Sequence, residues 1–147
     1  MSFGSDLHHL RANMVDSRVL STIVKNPTIL GLGNVRVVEP VGAYLGKSDT
    51  YLLLSDFGHQ CYEVLAKRRC TITEDLHHVV NFSNEMRMRF PDYEHCAVLV
   101  VEELNTEVTD RARTLCEVIP LVVIRMQSDY RARKPLLSFT KLFDQHH

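Results

Sequence analysis

The chain of 147 residues lacks any apolar run long enough to cross a membrane, which excludes a helical membrane protein. It also lacks a basic segment followed by an apolar core at its start, Met1-Ser2-Phe3-Gly4-Ser5-Asp6, so no signal peptide is read there. A cytoplasmic location is therefore expected. No C-x-x-C pair exists among Cys61, Cys70, Cys96 and Cys116, which argues against a structural zinc site. Buried free thiols in a reducing compartment are the expectation instead. Charge of neither sign is in excess: Lys and Arg number 17 and Asp and Glu 18, for a formal net charge of −1. Nucleic-acid binding would then need a local basic surface. There is no glycine-rich phosphate loop, because Gly31-Leu32-Gly33 lacks the remaining glycine and follows no strand. No Ser or Cys stands in a nucleophile elbow. The absence of repeats, low-complexity stretches and linkers leaves one domain, residues 1–147.

Hydrophobic residues make up 45% and charged residues 24%, an ordinary globular balance. Ser5-Asp6 suits a helix cap, followed by Leu7, Leu10 and Met14, with Val15, Val19 and Ile23 widening the stripe. Asn26-Pro27 ends that helix. Strands are predicted over Val35–Val41, Thr50–Ser55 and Gln60–Ala66, the last two joined by Asp56-Phe57-Gly58, where glycine is expected to supply the positive φ. Thr71-Ile72-Thr73-Glu74 has the form of a capping box for a helix burying Leu76, Val79, Val80 and Met86. Ala97–Val101 reads as a strand covered on both faces. Asn105-Thr106-Glu107 caps a helix with Val108, Ala112 and Leu115 inward, and Leu121–Arg125 is a further buried strand. The predicted order is α-β-β-β-α-β-α-β, a mixed sheet flanked by helices, with a core over about residues 34–126. Residues 127–147 read as a basic extension with a short amphipathic helix over 136–143. His146-His147 match a tag remnant and are set aside.

The hairpin carries the candidate chemistry. Asp49 opens one strand and Glu63 sits inside the next, between Tyr62 and Val64. A carboxylate in a half-buried strand is costly unless it has a partner. Two carboxylates converging on a hairpin suit a hard divalent cation such as Mg²⁺ or Mn²⁺, which can activate water against a phosphodiester. The alternative for Glu63 is an ion pair with a nearby Lys or Arg, and for Asp49 a plain turn or strand-start residue. Lys67-Arg68-Arg69 and the later Arg125, Arg131, Arg133, Lys134 and Lys141 are the candidate basic surfaces, with a solvated face as the alternative. His8-His9 and His77-His78 make poor chelates, since neighbours on a helix point about 100° apart. Glu102-Glu103 read as loop acids after a strand, and Asp92 as a loop residue.

Asp49, then Glu63 on the following strand, then a helix and an apolar strand, resemble the restriction-endonuclease-like PD-(D/E)xK nuclease superfamily. The likeness is of layout and covers roughly residues 34–126. Ser48-Asp49 stands where the family has Pro-Asp, Glu63 matches the motif Glu, and Leu65 occupies the motif lysine position. The resemblance implies a restriction-endonuclease-like fold, with Asp49 and Glu63 holding Mg²⁺ or Mn²⁺ and DNA as substrate. Lys67, two residues and roughly 6–7 Å beyond Leu65 on the same strand face, is the candidate to orient water or stabilise charge. Lys67, Arg68 and Arg69 are the candidate phosphate contacts, and His77, His78 or Asn81 a polar residue facing the site from the helix. Such nucleases often dimerise, so a homodimer is expected. Two functions follow: a degenerate, metal-dependent DNA phosphodiester hydrolase, or a non-catalytic binding or assembly module on the same scaffold. A generic α/β domain with structural carboxylates is the third reading.

Overall fold

A computed structural model describes residues 17–40, 51–70, 73–129 and 136–144. Among them the elements are α1 (Ser17–Lys25), a 3₁₀ turn (Pro27–Leu30), β1 (Arg36–Pro40), β2 (Tyr51–Ser55), β3 (Gln60–Cys70), α2 (Glu74–Arg89), β4 (Glu94–Leu104), α3 (Thr106–Cys116), β5 (Leu121–Asp129) and β6 (Leu136–Asp144). One six-stranded sheet runs in the order β1-β2-β3-β4-β5-β6. β1, β2 and β3 are antiparallel, β3, β4 and β5 are parallel, and β6 returns antiparallel. The expected mixed α/β sheet is therefore present.

The parallel pairs need crossovers, supplied by α2 and α3. Both packing partners of these helices lie on one face of the sheet: Leu76, Val79 and Phe82 of α2 and Val108 and Ala112 of α3 join Leu53, Leu65, Leu99 and Val123. Two same-handed crossovers stepping in one direction put their helices on the same side. The other face buries Leu54, Val64, Val98 and Ile124 under Ile23 of α1, Leu30 of the 3₁₀ turn and Val35. Covered on both faces, β4 and β5 carry continuous apolar runs.

Several expectations change. The predicted C-terminal helix is β6, paired to β5 from Asp129↔Leu136 to Val122↔Asp144. Leu136-Leu137-Ser138-Phe139-Thr140-Lys141-Leu142-Phe143 fits both periods, and the open edge of β5 decides for the strand, with Phe139 packed on the core. β3 and β4 run past their apolar centres, so Lys67-Arg68-Arg69 and Glu102-Glu103 lie within strands. The positive φ of the β2–β3 turn belongs to Phe57 (φ 60), not to Gly58. The Asp56 carboxylate accepts from Gly58 N and Gln60 N at 2.8 and 3.2 Å and sets the turn without needing a glycine there. Thr73 makes no side-chain cap bond to α2, whereas Asn105 caps α3 as expected, accepting from Val108 N at 2.9 Å. The predicted helix start at Ser5-Asp6, Thr71-Ile72 of the capping box, and Arg131, Arg133 and Lys134 lie outside the described residues.

Candidate functional site

β3 alternates its side chains between the two faces. Tyr62, Val64 and Ala66 face α1 and the 3₁₀ turn, and Cys61 and Leu65 face α2. Glu63 shares the α2 face and is 0% exposed. It meets two partners there. Ser83 on α2 donates its hydroxyl to Glu63 Oε1 at 2.7 Å. His95, near the start of β4, brings Nδ1 to 3.2 Å from both carboxylate oxygens. The ladder explains the approach: Cys61 pairs with His95 and Glu63 with Ala97, so His95 is the diagonal neighbour of Glu63.

The other ring nitrogen fixes the proton count. His95 Nε2 lies 2.8 Å from the Phe90 carbonyl oxygen. A carbonyl only accepts, so Nε2 carries a hydrogen. If the ring is neutral, Nδ1 then presents a lone pair to a carboxylate at 3.2 Å. Two acceptors cannot hold that distance alone. One positive charge belongs between them, either a proton on one of the pair or a metal ion. The surroundings agree: burial pushes the Glu63 carboxyl up to about 7, opposed by the Ser83 hydrogen bond and by His95 and Arg87. Burial, then the charge of Glu63, push the neighbouring Cys61 thiol up to about 11.

Cys61, Glu63 and His95 each offer one ligand atom, all within 4.8 Å of one another. A crevice of about 60 Å³ is lined by Leu53, Ser55, Phe90 and Tyr93 and, of the three ligand residues, by Cys61.

The residues singled out from sequence are distributed differently. Asp49 lies outside the described residues. β2 presents Leu53, not an acid, opposite Glu63. Leu65 is 1% exposed and belongs to the core beneath α2. Lys67 is half-buried, opposite Val101, and four residues beyond Glu63 on the strand, about 13 Å away. Arg68 is exposed and pairs with Glu102 at 3.6 Å, while position 69 stands opposite Glu103 in the ladder. His77, His78 and Asn81 are exposed, and from α2 Ser83 is buried against the sheet while Arg87 donates to the His95 carbonyl at 3.4 Å. Sequence reasoning missed His95 and Ser83. His95 precedes the apolar run by two residues and so shares the face of Ala97 and Leu99, a period-two signal that was available; Ser83 falls on the helical stripe of Leu76, Val79, Val80 and Met86, a polar residue at a buried position, and that signal was available too.

The oxygen-seeking Mg²⁺ or Mn²⁺ implied by the resemblance does not fit the surroundings of Glu63. Such ions take mostly oxygens and keep several waters. Among the described residues, one carboxylate stands here beside a sulfur and an imidazole in a closed interior. No protein-family profile, curated protein or solved structure matches the chain.

Proposed function

We propose that the chain is a degenerate, restriction-endonuclease-like domain that acts as a binding or assembly module and not as a phosphodiester hydrolase. The run of hairpin, helical crossover and parallel strand supports the choice of scaffold. One observation carries the non-catalytic reading: the Glu63 carboxylate is 0% exposed, with its oxygens taken up by Ser83 and His95. A hydrolase must bring a phosphodiester up to its metal-bound water, and a carboxylate closed beneath α2 leaves no room for one. Leu65 at the motif lysine position is likewise core. Within the basic run Arg68 is paired with Glu102 of the adjacent strand, which favours a protein partner, a second copy included, over DNA.

The test is incubation of supercoiled plasmid with the protein and Mn²⁺ or Mg²⁺. The plasmid is expected to remain supercoiled, and mobility shifts at moderate salt to show no complex. Sedimentation at micromolar concentration reads self-association directly. Nicking that depends on the metal and vanishes in Glu63→Ala would overturn the proposal and restore the hydrolase.

A further inference from the structure

We propose that Cys61, Glu63 and His95 form a buried site for a thiophilic divalent transition metal of the zinc class, with the Ser83 hydroxyl holding the ligating carboxylate. The inference stands apart from the binding-module reading, since it requires no partner and no cleavage.

Four observations converge. The donor set is one thiol, one carboxylate and one imidazole within 4.8 Å, a mixture suited to Zn²⁺ and its analogues. The ligand atoms of a zinc tetrahedron stand about 3.4–3.6 Å apart; Glu63 and His95 are already at 3.2 Å, and the cluster's widest separation, up to 4.8 Å, closes on binding. His95 is already set as a ligand: Nε2–H donates to the Phe90 carbonyl and aims the Nδ1 lone pair into the cluster. Metal-bound histidines characteristically tie their second nitrogen this way. Glu63 has the equivalent support from Ser83. A crevice lined by Cys61 brings open space up to one of the three ligands. The charge also balances. Without metal, the cluster holds a neutral thiol and a carboxylate–imidazole pair sharing one proton. Binding of M²⁺ releases the thiol proton and the shared proton, leaving thiolate, carboxylate and neutral imidazole around the ion. The net charge is zero in both states, which a closed interior demands. Three protein ligands leave the fourth position of a tetrahedron to the Ser83 oxygen, 2.7 Å from Glu63 Oε1.

Cobalt(II) is the probe. The full chain, stripped with chelator, is titrated with Co²⁺ and followed by absorption. The expected result is one equivalent bound, with a sulfur-to-cobalt charge-transfer band in the near ultraviolet that Zn²⁺ bleaches and Mg²⁺ leaves untouched. Cys61→Ser should lose the band, and His95→Gln should weaken binding at least tenfold, with far-ultraviolet circular dichroism confirming that both variants fold. The thiolate band separates this site from histidines elsewhere in the chain. If the folded wild type gives no such band at stoichiometric Co²⁺, or if Cys61→Ser keeps it, the proposal is wrong and the cluster holds a proton only. Should a variant fail to fold, the wild-type titration still decides, because Zn²⁺ must raise its unfolding midpoint and Mg²⁺ must not.

Discussion

Replacing Glu63 with Gln should remove a pH dependence from folding and stabilise the metal-free protein in mildly alkaline solution. The side chain is fully buried, so water does not screen its charge. Its carboxyl rises from an ordinary value of 4.5 to about 7 in the fold, chiefly through burial. The folded chain therefore holds a proton that the unfolded chain releases over that interval. Stability must fall as pH rises from 4.5 to 7, and the loss, at 1.36 kcal/mol per pH unit, is about 3 kcal/mol. The groups facing Glu63 are Ser83 and Arg87 from α2, Cys61 from its own strand and His95 from β4. Gln keeps the geometry of the protonated acid: its oxygen accepts from Ser83 and its amide donates to His95 Nδ1. Groups remote from the site titrate alike in both proteins and cancel in the difference.

The measurement is denaturant unfolding of wild type and Glu63→Gln, with chelator present, at half-unit steps from pH 4.5 to 8. The stability difference should move by about 3 kcal/mol in favour of Gln across the series and level off above pH 7. A difference that stays flat, or that moves towards the wild type as pH rises, would refute the reasoning. It would mean that Glu63 is ionised in the fold well below pH 7, with its charge fully met by its neighbours.

Three further outcomes follow from the same geometry. Leu65→Lys, which restores the motif lysine, forces an ammonium among core side chains and should cost several kcal/mol by chemical denaturation; wild-type stability with acquired DNA cleavage would sink both the core placement and the module reading. Ser83→Ala removes the hydroxyl that stabilises the Glu63 carboxylate and should cost about 1–3 kcal/mol at pH 8 and measurably less at pH 5, where the acid is protonated. Asn105→Ala should cost about 1 kcal/mol through loss of the α3 cap, while Thr73→Ala, which breaks no cap bond, should stay within about 0.5 kcal/mol; equal effects in thermal melts would contradict the capping geometry.

The strand-and-helix order was legible because the central elements obey simple periods. Ala97–Val101 could only be a strand buried on both sides, and Asn105 announced its helix. The strand ends were not legible. Lys67-Arg68-Arg69 reads as a solvated strand end and Glu102-Glu103 as loop acids in isolation, and they extend β3 and β4 by pairing along the ladder, with Arg68 meeting Glu102. The C-terminal segment was misread because its apolar residues satisfy both helical and strand spacing, and a free sheet edge is a tertiary fact. At the site, a carboxylate between Tyr62 and Val64 correctly signalled that a partner must exist. The partners lie 20 and 32 residues away on other elements, and one strand's alternation cannot name them.

The cluster makes most sense as a set of groups whose charge is used. A core position filled by Leu or Met would be at least as stable as a buried acid–imidazole pair, since desolvation consumes most of what such a pair gains. Glu63 therefore weakens the metal-free fold over the pH range where it should ionise, as its raised carboxyl indicates. A proton between Glu63 and His95 relieves the strain of two facing acceptors and leaves Cys61 as a core thiol hydrogen-bonded to Ser55. A divalent ion engages all three, displaces two protons and converts a destabilising arrangement into a ligand-stabilised one, by an amount that grows with metal concentration over its dissociation constant. The placement agrees with this. His95 stands near the beginning of β4, away from the carboxyl ends of the parallel strands, where open α/β sheets usually present substrates. At those carboxyl ends Arg68 meets Glu102 and position 69 stands beside Glu103. The ligand set is thus enclosed away from the edge where substrates are usually met, and at that edge Arg68 is engaged by Glu102, an arrangement that favours holding over cutting.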